Sequence, residues 1–575
     1  MPPKSSEIKG PNVMPAVQPW PALSLAEAHA RLTAPGSRFE TVAVTVRGRP
    51  MAVWKHMPAT AREAFLAARA HGARECLVYE DQRVTYEGLA RAALVVAAEL
   101  GRRGLQKGDR VAIAMRNLPE WVAVFFGALL AGGIAVPLNA WWTAAEMDFA
   151  LGDSGARFLF ADGERWARLA PFAHRLDQAW VARGEGPALL EDIIGTPARW
   201  SDLPEGVLPD IAPEPEDDAT IFYTSGTGGP PKGALGTHRS LTINIPATSF
   251  SLARSALRAG HAPPDPANPR VTLVAVPFFH VTGCMSILLP NLAGGGKLVL
   301  MRRFKAEAAM ALIEREKVTV TGGVPAVALG LLEHPARAKY DLSSLALVTY
   351  GGAPAGPQMA ARVRRLLGAE PGQGWGMTET SATCTTHAGA DYLRRPESCG
   401  PALPIYRLKV TDAAGRELPP GEVGELWAYG ANVVKGYWNR PEETAATFRD
   451  GWVRTGDLAR LDGEGFCFIL DRAKDMLIRG GENIYCSEVE SALCDHPAVC
   501  DAAVVGLPHP LLGEEPGAVV QLRPGMAADA DSLRDFLAPR LAPFKLPVRL
   551  VLGEAPLPRN ANGKVVKRDL RKLFA

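Results

Sequence analysis

Cysteine is scarce and unpatterned. Eight thiols in 575 residues form no Cys-x-x-Cys pair and no Cys/His ligand spacing, which argues against a disulfide framework or an ordinary zinc site and fits a reducing cytoplasm. Excess charge is also missing. Lys+Arg 63 against Asp+Glu 61 leaves a net +2, so nothing calls for nucleic acid or a strongly anionic partner. The segment that comes nearest to a membrane span, residues 121–138, carries no charge but is broken by Gly132, Gly133 and Pro137. It reads as a buried helix running into a buried strand. The first residues contain several prolines and no apolar core of a secretory signal, so residues 1–55 read as a loose extension with one strand near residues 41–46.

What is present suits a globular enzyme: 47% hydrophobic and 22% charged residues in a chain too long for one core. From residue 60 the pattern alternates. Thr60 and Glu63 form a capping box that opens a helix. Strand-like runs at 76–79, 109–115 and 134–137 alternate with helical runs at 86–100, ended by Gly101, and 119–131. This predicts an α/β protein, with a large domain of doubly wound parallel sheets covered by helices. A Pro-rich loop falls at 261–269. After residue 471 a second capping box at Ser487 and Glu490, then apolar runs at 499–505 and 517–522, predict a small α+β lid. The expected division is an extension at 1–55, a large domain at 56–471 and a lid at 472–575.

The most informative stretch is Tyr223-Thr-Ser-Gly-Thr-Gly-Gly-Pro-Pro-Lys-Gly233. Its glycines let main-chain N–H groups turn toward an anion, Ser and Thr add donors, and Lys232 supplies a positive charge, so it is suited to hold phosphate. It is not a Walker loop, because Pro231 precedes the lysine and Gly233 follows it. Further motifs stand downstream: Gly351-Gly-Ala-Pro354, Gly374-Trp-Gly-Met-Thr-Glu-Thr380, Arg454-Thr-Gly-Asp-Leu458, Asp471-Arg-Ala-Lys-Asp475, Gly480-Gly-Glu-Asn-Ile-Tyr485 and Pro558-Arg-Asn-Ala-Asn-Gly-Lys564.

In this order and spacing they resemble the acyl-adenylate-forming (AMP-binding) enzymes, over roughly residues 55–575. The acyl-CoA synthetase branch, medium- and long-chain fatty acyl-CoA ligases above all, is the most similar. The resemblance implies ATP, Mg²⁺ and coenzyme A as partners of a small carboxylic acid. It implies that Thr224, Ser225, Gly226, Thr227, Gly228 and Lys232 hold the β- and γ-phosphates. Thr378 and Glu379 would meet the α-phosphate and Mg²⁺, with Glu379 the metal ligand. Gly351, Gly352, Ala353, Gly374, Trp375, Gly376 and Met377 would lie along the adenine, and Asp457 with Arg472 on the ribose. Lys564 would bridge the substrate carboxylate and α-phosphate, and Lys474 would be the hinge of a lid that turns between two half-reactions. Arg479, Gly480 and Gly481 would border the coenzyme A tunnel.

For the acyl pocket the resemblance implies Phe279, His280, Gly283, Val324, Gly352 and Trp375, with His280 a gate. The stretch Pro277-Phe-Phe-His-Val-Thr-Gly-Cys284 carries no acid to hold an α-ammonium group, and no carrier-protein domain is recognisable, so amino acids are disfavoured. Bulky apolar acids, fatty, aryl or steroidal, suit the aromatic residues. Two departures from the family pattern stand out: Gly228 where a second Thr is usual, and Cys486 where Pro is usual. Transfer of the acyl group to a carrier protein, a luciferase-like oxygenation, and a non-enzymatic nucleotide-binding role are the alternatives. Homodimer formation and peripheral membrane contact stay open.

Overall fold

The computed structural model describes residues 20–224, 230–265, 269–352, 355–356, 358–480, 482–559 and 565–574. Two parallel-rich sheets form the body. The first has six strands, in the order Gly233–Thr237, Asp218–Tyr223, Ile134–Pro137, Arg110–Ala114, Phe158–Asp162, Gln178–Ala182. All neighbours run parallel except the first pair, whose hairpin carries the glycine-rich loop. The second has eight: Ala382–Ala388, Glu370–Met377, Leu347–Gly351, Val320–Gly323, Val271–Val274, Lys297–Leu300, Glu75–Tyr79, Gln82–Thr85. Its middle is parallel and both edges are antiparallel.

The charge-free run is explained by its place between these sheets. Helix Pro119–Leu130 is buried at every residue and shares one core with residues of both sheets, among them Ile113, Phe160, Leu77 and Leu300. It lies so close to helix Tyr86–Arg102 that a Cβ on Gly127 would sit 2.5 Å from Val96 Cγ1. The run then enters strand Ile134–Pro137, as its prolyl and glycyl breaks predict. Among the described residues no helix is long and apolar enough to cross a membrane. Helix Tyr86–Arg102 outlasts the stop expected at Gly101 and reverses at Gly104, with φ of 84°. Thr60 caps helix Ala61–Arg69 by accepting the Glu63 N–H.

Three elements depart from the sequence expectation. Residues 20–54 are not a loose extension: helix Leu25–Leu32 and the hairpin Thr41–Val46/Arg49–Trp54 pack Phe39, Val46 and Trp54 into a core with Phe250, Tyr406 and Val453. The indole of Trp54 donates to the Ile243 carbonyl. Second, a wholly antiparallel sheet joins Gly400–Pro401, Phe466–Arg472, Trp452–Leu461, Gly424–Tyr429 and Arg407–Thr411. Third, Ser487 and Glu490 do not form a capping box. Helix Cys486–Cys494 begins two residues too early for that, with Tyr485 at the N-cap, so the Ser487 hydroxyl instead donates to the Leu470 carbonyl, and Glu490 accepts the Val504 N–H and pairs with Lys567.

Between Arg472 and Leu477 the chain leaves this third sheet and enters another, built from Leu477–Arg479, Glu482–Ile484, Val499–His509, Gly513–Leu522 and Arg549–Gly553. Helices Cys486–Cys494 and Ala530–Leu537 close it over its own core. The small α+β unit touches the body through Arg523, whose guanidinium reaches the Glu333 carboxylate that also holds Arg362. All eight cysteines are free.

Candidate functional site

The glycine-rich loop starts where strand Asp218–Tyr223 ends. Its two ends are pinched together: the Thr224 N–H donates to the Lys232 carbonyl at 2.8 Å, and the Lys232 N–H points back to Thr224 Oγ1. Ser225, Gly226, Thr227 and Gly228 lie outside the described residues. The Lys232 ammonium stands 5.0 Å from the centre of the Tyr437 ring, a favourable cation–π placement.

Across from it, strand Glu370–Met377 runs into the turn Thr378–Thr380, and the chain returns along Ala382–Ala388. The return is tight. A Cβ on Gly376 would sit 1.6 Å from the Ala382 carbonyl oxygen, and Ser381 and Ala382 take φ of 47° and 79°. Consecutive non-glycine residues in that region store strain that the surroundings must hold. They do so: Asn432 donates to the Thr380 carbonyl, Asn244 to the Ser381 carbonyl, and Tyr406 to Asn244. The result presents Glu379, 7% exposed, with one carboxylate oxygen accepting the Tyr437 hydroxyl at 2.7 Å.

Asp457 sits in strand Trp452–Leu461 directly opposite Arg472, not in a free-standing turn. At 2% exposed, its carboxylate is held on both oxygens: Arg472 Nε at 2.7 Å on one, the Trp375 indole N–H at 2.8 Å on the other. Trp375 is therefore tied to the aspartate expected at the ribose. Gly351 and Gly374 pair in register, and a Cβ on Gly351 would meet the Gly374 carbonyl at 2.7 Å, so close strand approach accounts for that glycine. Gly374 meets the Thr385 carbonyl in the same way. Gly352 is exposed with φ of 73°, and Ala353 lies outside the described residues.

Among the residues expected at the acyl group, Phe279 meets Trp141 edge-on at 5.0 Å and tilts against His280 at 5.2 Å. Arg116 covers the outer face of Trp141 at 4.9 Å. Phe278 turns the other way, fully buried against Trp121. Gly283 is explained without any ligand, because a Cβ there would lie 2.0 Å from the Pro277 carbonyl oxygen. Val324 precedes helix Pro325–Glu333 as its N-cap residue.

In the small unit Arg479 pairs with Glu515 at 3.0 Å, and the Gly480 N–H, at φ of 58°, donates to the Leu512 carbonyl. Gly481 and Lys564 lie outside the described residues. Lys474 occupies the turn where the chain changes sheets, and burial lowers its pKa. Beside it, burial pushes Asp471 up to about 6.

Among the described residues no cluster of three His, Cys, Asp or Glu side chains stands ready for a metal. A single buried carboxylate at Glu379, beside a phosphate-type loop, instead fits Mg²⁺, which takes one or two carboxylates and completes its shell with phosphate oxygens and water. Tyr437, Asn432 and Asn244 are the residues that sequence reasoning missed. The Gly436-Tyr437 step four residues before Pro441 was the one local signal available for them.

The AMP-binding enzyme profile matches residues 65–438, and the AMP-binding enzyme C-terminal domain profile matches residues 488–564. A feruloyl-CoA synthase of an Amycolatopsis species is 36% identical over 85% of this chain and 94% of its own. A long-chain-fatty-acid–CoA ligase of Bacillus subtilis is 32% identical over 86% of this chain and 91% of its own. The o-succinylbenzoate CoA synthetase of Bacillus subtilis, solved with its acyl-adenylate intermediate, is 32% identical with a TM-score of 0.74, covering 88% of this chain and 98% of that one. With profiles matching in both the body and the small unit, and relatives aligned along most of both chains, this chain belongs to the AMP-binding enzyme family.

Proposed function

We propose that the protein is an ATP-dependent, AMP-forming acid–thiol ligase. The observation that carries this reading is the pair of buried carboxylates: Glu379 in a strained, braced turn linked to Lys232 through Tyr437, and Asp457 bound by Arg472 and Trp375. Joining two anions is the central difficulty of the first half-reaction. A substrate carboxylate oxygen attacks the α-phosphorus of ATP, the new P–O bond forms, and pyrophosphate leaves with the electron pair of the broken one. Lys232 and the loop that it closes would bind the β- and γ-phosphates, and Asp457 with Arg472 would fix the ribose hydroxyls. Magnesium held by Glu379 would supply charge neutralisation at the phosphates. Lys564 would place its ammonium between carboxylate and α-phosphate.

In the second half-reaction a thiolate attacks the acyl carbonyl and AMP departs with the carboxyl oxygen, giving the thioester. We take coenzyme A as the acceptor, with Gly480 and Gly481 at its channel and the 472–575 unit turning about Lys474 between the steps. The acid we propose is apolar, a medium- or long-chain fatty acid. A flat aryl acid is the second reading, favoured by the ring edges of Trp141, Phe279 and His280. Eight unpaired thiols fit a cytoplasmic site.

The test is acid-dependent exchange of labelled pyrophosphate into ATP without coenzyme A, over a panel of fatty, aryl and steroidal acids. Folded protein with Mg²⁺ that exchanges with none of them would refute the reading. Lys564→Ala should slow adenylation on the order of 10²–10³-fold. Supplied with acyl-AMP and coenzyme A, it should still form thioester at nearly the wild-type rate.

A further inference from the structure

Tyr437 touches both ends of the phosphate machinery. Its hydroxyl donates to Glu379 at 2.7 Å, and its ring face lies under the Lys232 ammonium at 5.0 Å. Among the described residues Lys232 and Glu379 form no ion pair with each other, although one side chain borders both. Brought together out of water, an ammonium and a buried carboxylate attract strongly. A direct pair would consume the two charges that magnesium and the phosphates need.

The position of Tyr437 is over-determined by backbone contacts. The Leu235 N–H donates to the Gly436 carbonyl at 2.9 Å, and the Trp438 N–H to the Gly233 carbonyl at 2.7 Å, so this stretch lies along the strand that leaves the glycine-rich loop. Thr444 Oγ1 accepts the Tyr437 N–H at 2.9 Å. A side chain on Gly436 would collide with Thr444, its Cβ 2.4 Å from Cγ2. From the opposite side the Arg47 guanidinium holds the Val433 and Val434 carbonyls.

We propose that Tyr437 is a positioning residue that keeps Lys232 and Glu379 apart, the hydroxyl orienting the carboxylate for magnesium and the ring holding the ammonium for phosphate. It touches neither reacting atom. The inference rests on the adenylation reading and adds a role for a residue outside the motifs that led to it. It predicts a division of labour within one side chain. The hydroxyl should matter to magnesium, and the ring to the nucleotide even without metal.

Tyr437→Phe and Tyr437→Leu separate the two. ATP binding is measured by titration calorimetry, first in EDTA and then across graded MgCl₂, with circular dichroism as the check on folding. Tyr437→Phe should leave metal-free ATP affinity within about twofold and raise the half-saturating Mg²⁺ concentration about five- to tenfold, the scale of a lost hydrogen bond to a charged group. Tyr437→Leu should show that shift and also weaken metal-free ATP binding about fivefold or more. A folded Tyr437→Phe protein with unchanged or lower Mg²⁺ demand overturns the proposal. So does equal weakening of both measurements in that variant, which is the signature of a merely structural residue. Should Tyr437→Leu not fold, Tyr437→Phe alone decides. A wild-type protein that binds no ATP at any Mg²⁺ level refutes the adenylation reading itself, an outcome distinct from a wild type that binds while Tyr437→Phe shows no shift.

Discussion

Among the residues we propose for the nucleotide, Asp457 has one oxygen on Arg472 and the other on Trp375, while Glu379 takes the Tyr437 hydroxyl. Among those we propose for the acyl group, Trp141, Phe279 and His280 meet by ring edges and faces, with Arg116 over the Trp141 ring. The first set is built from directional bonds to charged groups, where a single atom sets an angle. The second is built from area and shape, which adapt when volume is conserved. Reaction chemistry should therefore be brittle on one side and substrate choice adjustable on the other.

The largest expected effect is Asp457→Ala, which would remove the proposed ribose acceptors and free Arg472. We expect a loss in kcat/KM for ATP of about 10²-fold or more, from two hydrogen bonds to a carboxylate, read by pyrophosphate exchange at varied ATP. A loss under tenfold would mean that this carboxylate does not face the ribose. Trp375→Phe comes next. It keeps the ring but deletes the N–H that orients Asp457, so KM for ATP should rise about tenfold with kcat little changed. Discrimination between ATP and 2′-deoxy-ATP should fall in parallel. If W375F instead changed acid preference and left nucleotide discrimination intact, Trp375 would belong to the acyl set.

In that set Phe279→Leu should cost less than about tenfold with the best acid and move preference toward bulkier acyl groups, as volume-sensitive contacts do. Kinetics over a chain-length series measure it. A hundredfold loss with all acids alike would erase the contrast between the two sets.

The smallest effect concerns stability at the junction of the two units. Asp471 has a folded-state pKa of about 6 because burial disfavours its charge, well above the ordinary aspartate value. Between about pH 4 and pH 6 the folded chain then binds more protons than the unfolded one, so stability falls as pH rises through that window. The full penalty applies above it, on the order of 3 kcal/mol. Asp471→Asn should therefore raise Tm by a few degrees at pH 7.5 and by nothing measurable at pH 4, followed by calorimetry.

The α/β class, the large and small units and the family were legible because periodicity and seven spaced motifs are local properties of the chain. So was the burial of residues 121–138, through its glycines and Pro137. The antiparallel sheet around Asp457 was not, since the inward positions of strand Trp452–Leu461 are Val453, Thr455, Asp457 and Ala459, whose mixed polarity hides the alternation of burial from the sequence. Residues 20–54 looked like a loose arm because the apolar partners of Phe39 and Trp54 lie some two hundred residues further on or beyond. Ser487 matched a capping pattern whose geometry depends on where the helix starts, and the two-residue shift to an N-cap at Tyr485 voids it. Neither Tyr437 nor the indole bond of Trp375 can be read from a string: the first reaches a carboxylate 58 positions away, the second an aspartate 82 away.

Glu333, on the body, accepts two arginines at once, Arg362 from its own unit and Arg523 from the small one. Such sharing makes the contact work as a detent, not a latch. When Arg523 swings away, Glu333 still holds Arg362 and is never left as a stranded charge, while Arg523 moves into water that solvates it well. Releasing the small unit therefore carries little electrostatic penalty at this point, and returning it needs no rearrangement of the body. If the 472–575 unit turns between the two half-reactions, as we propose, this contact would mark one position without holding the unit there.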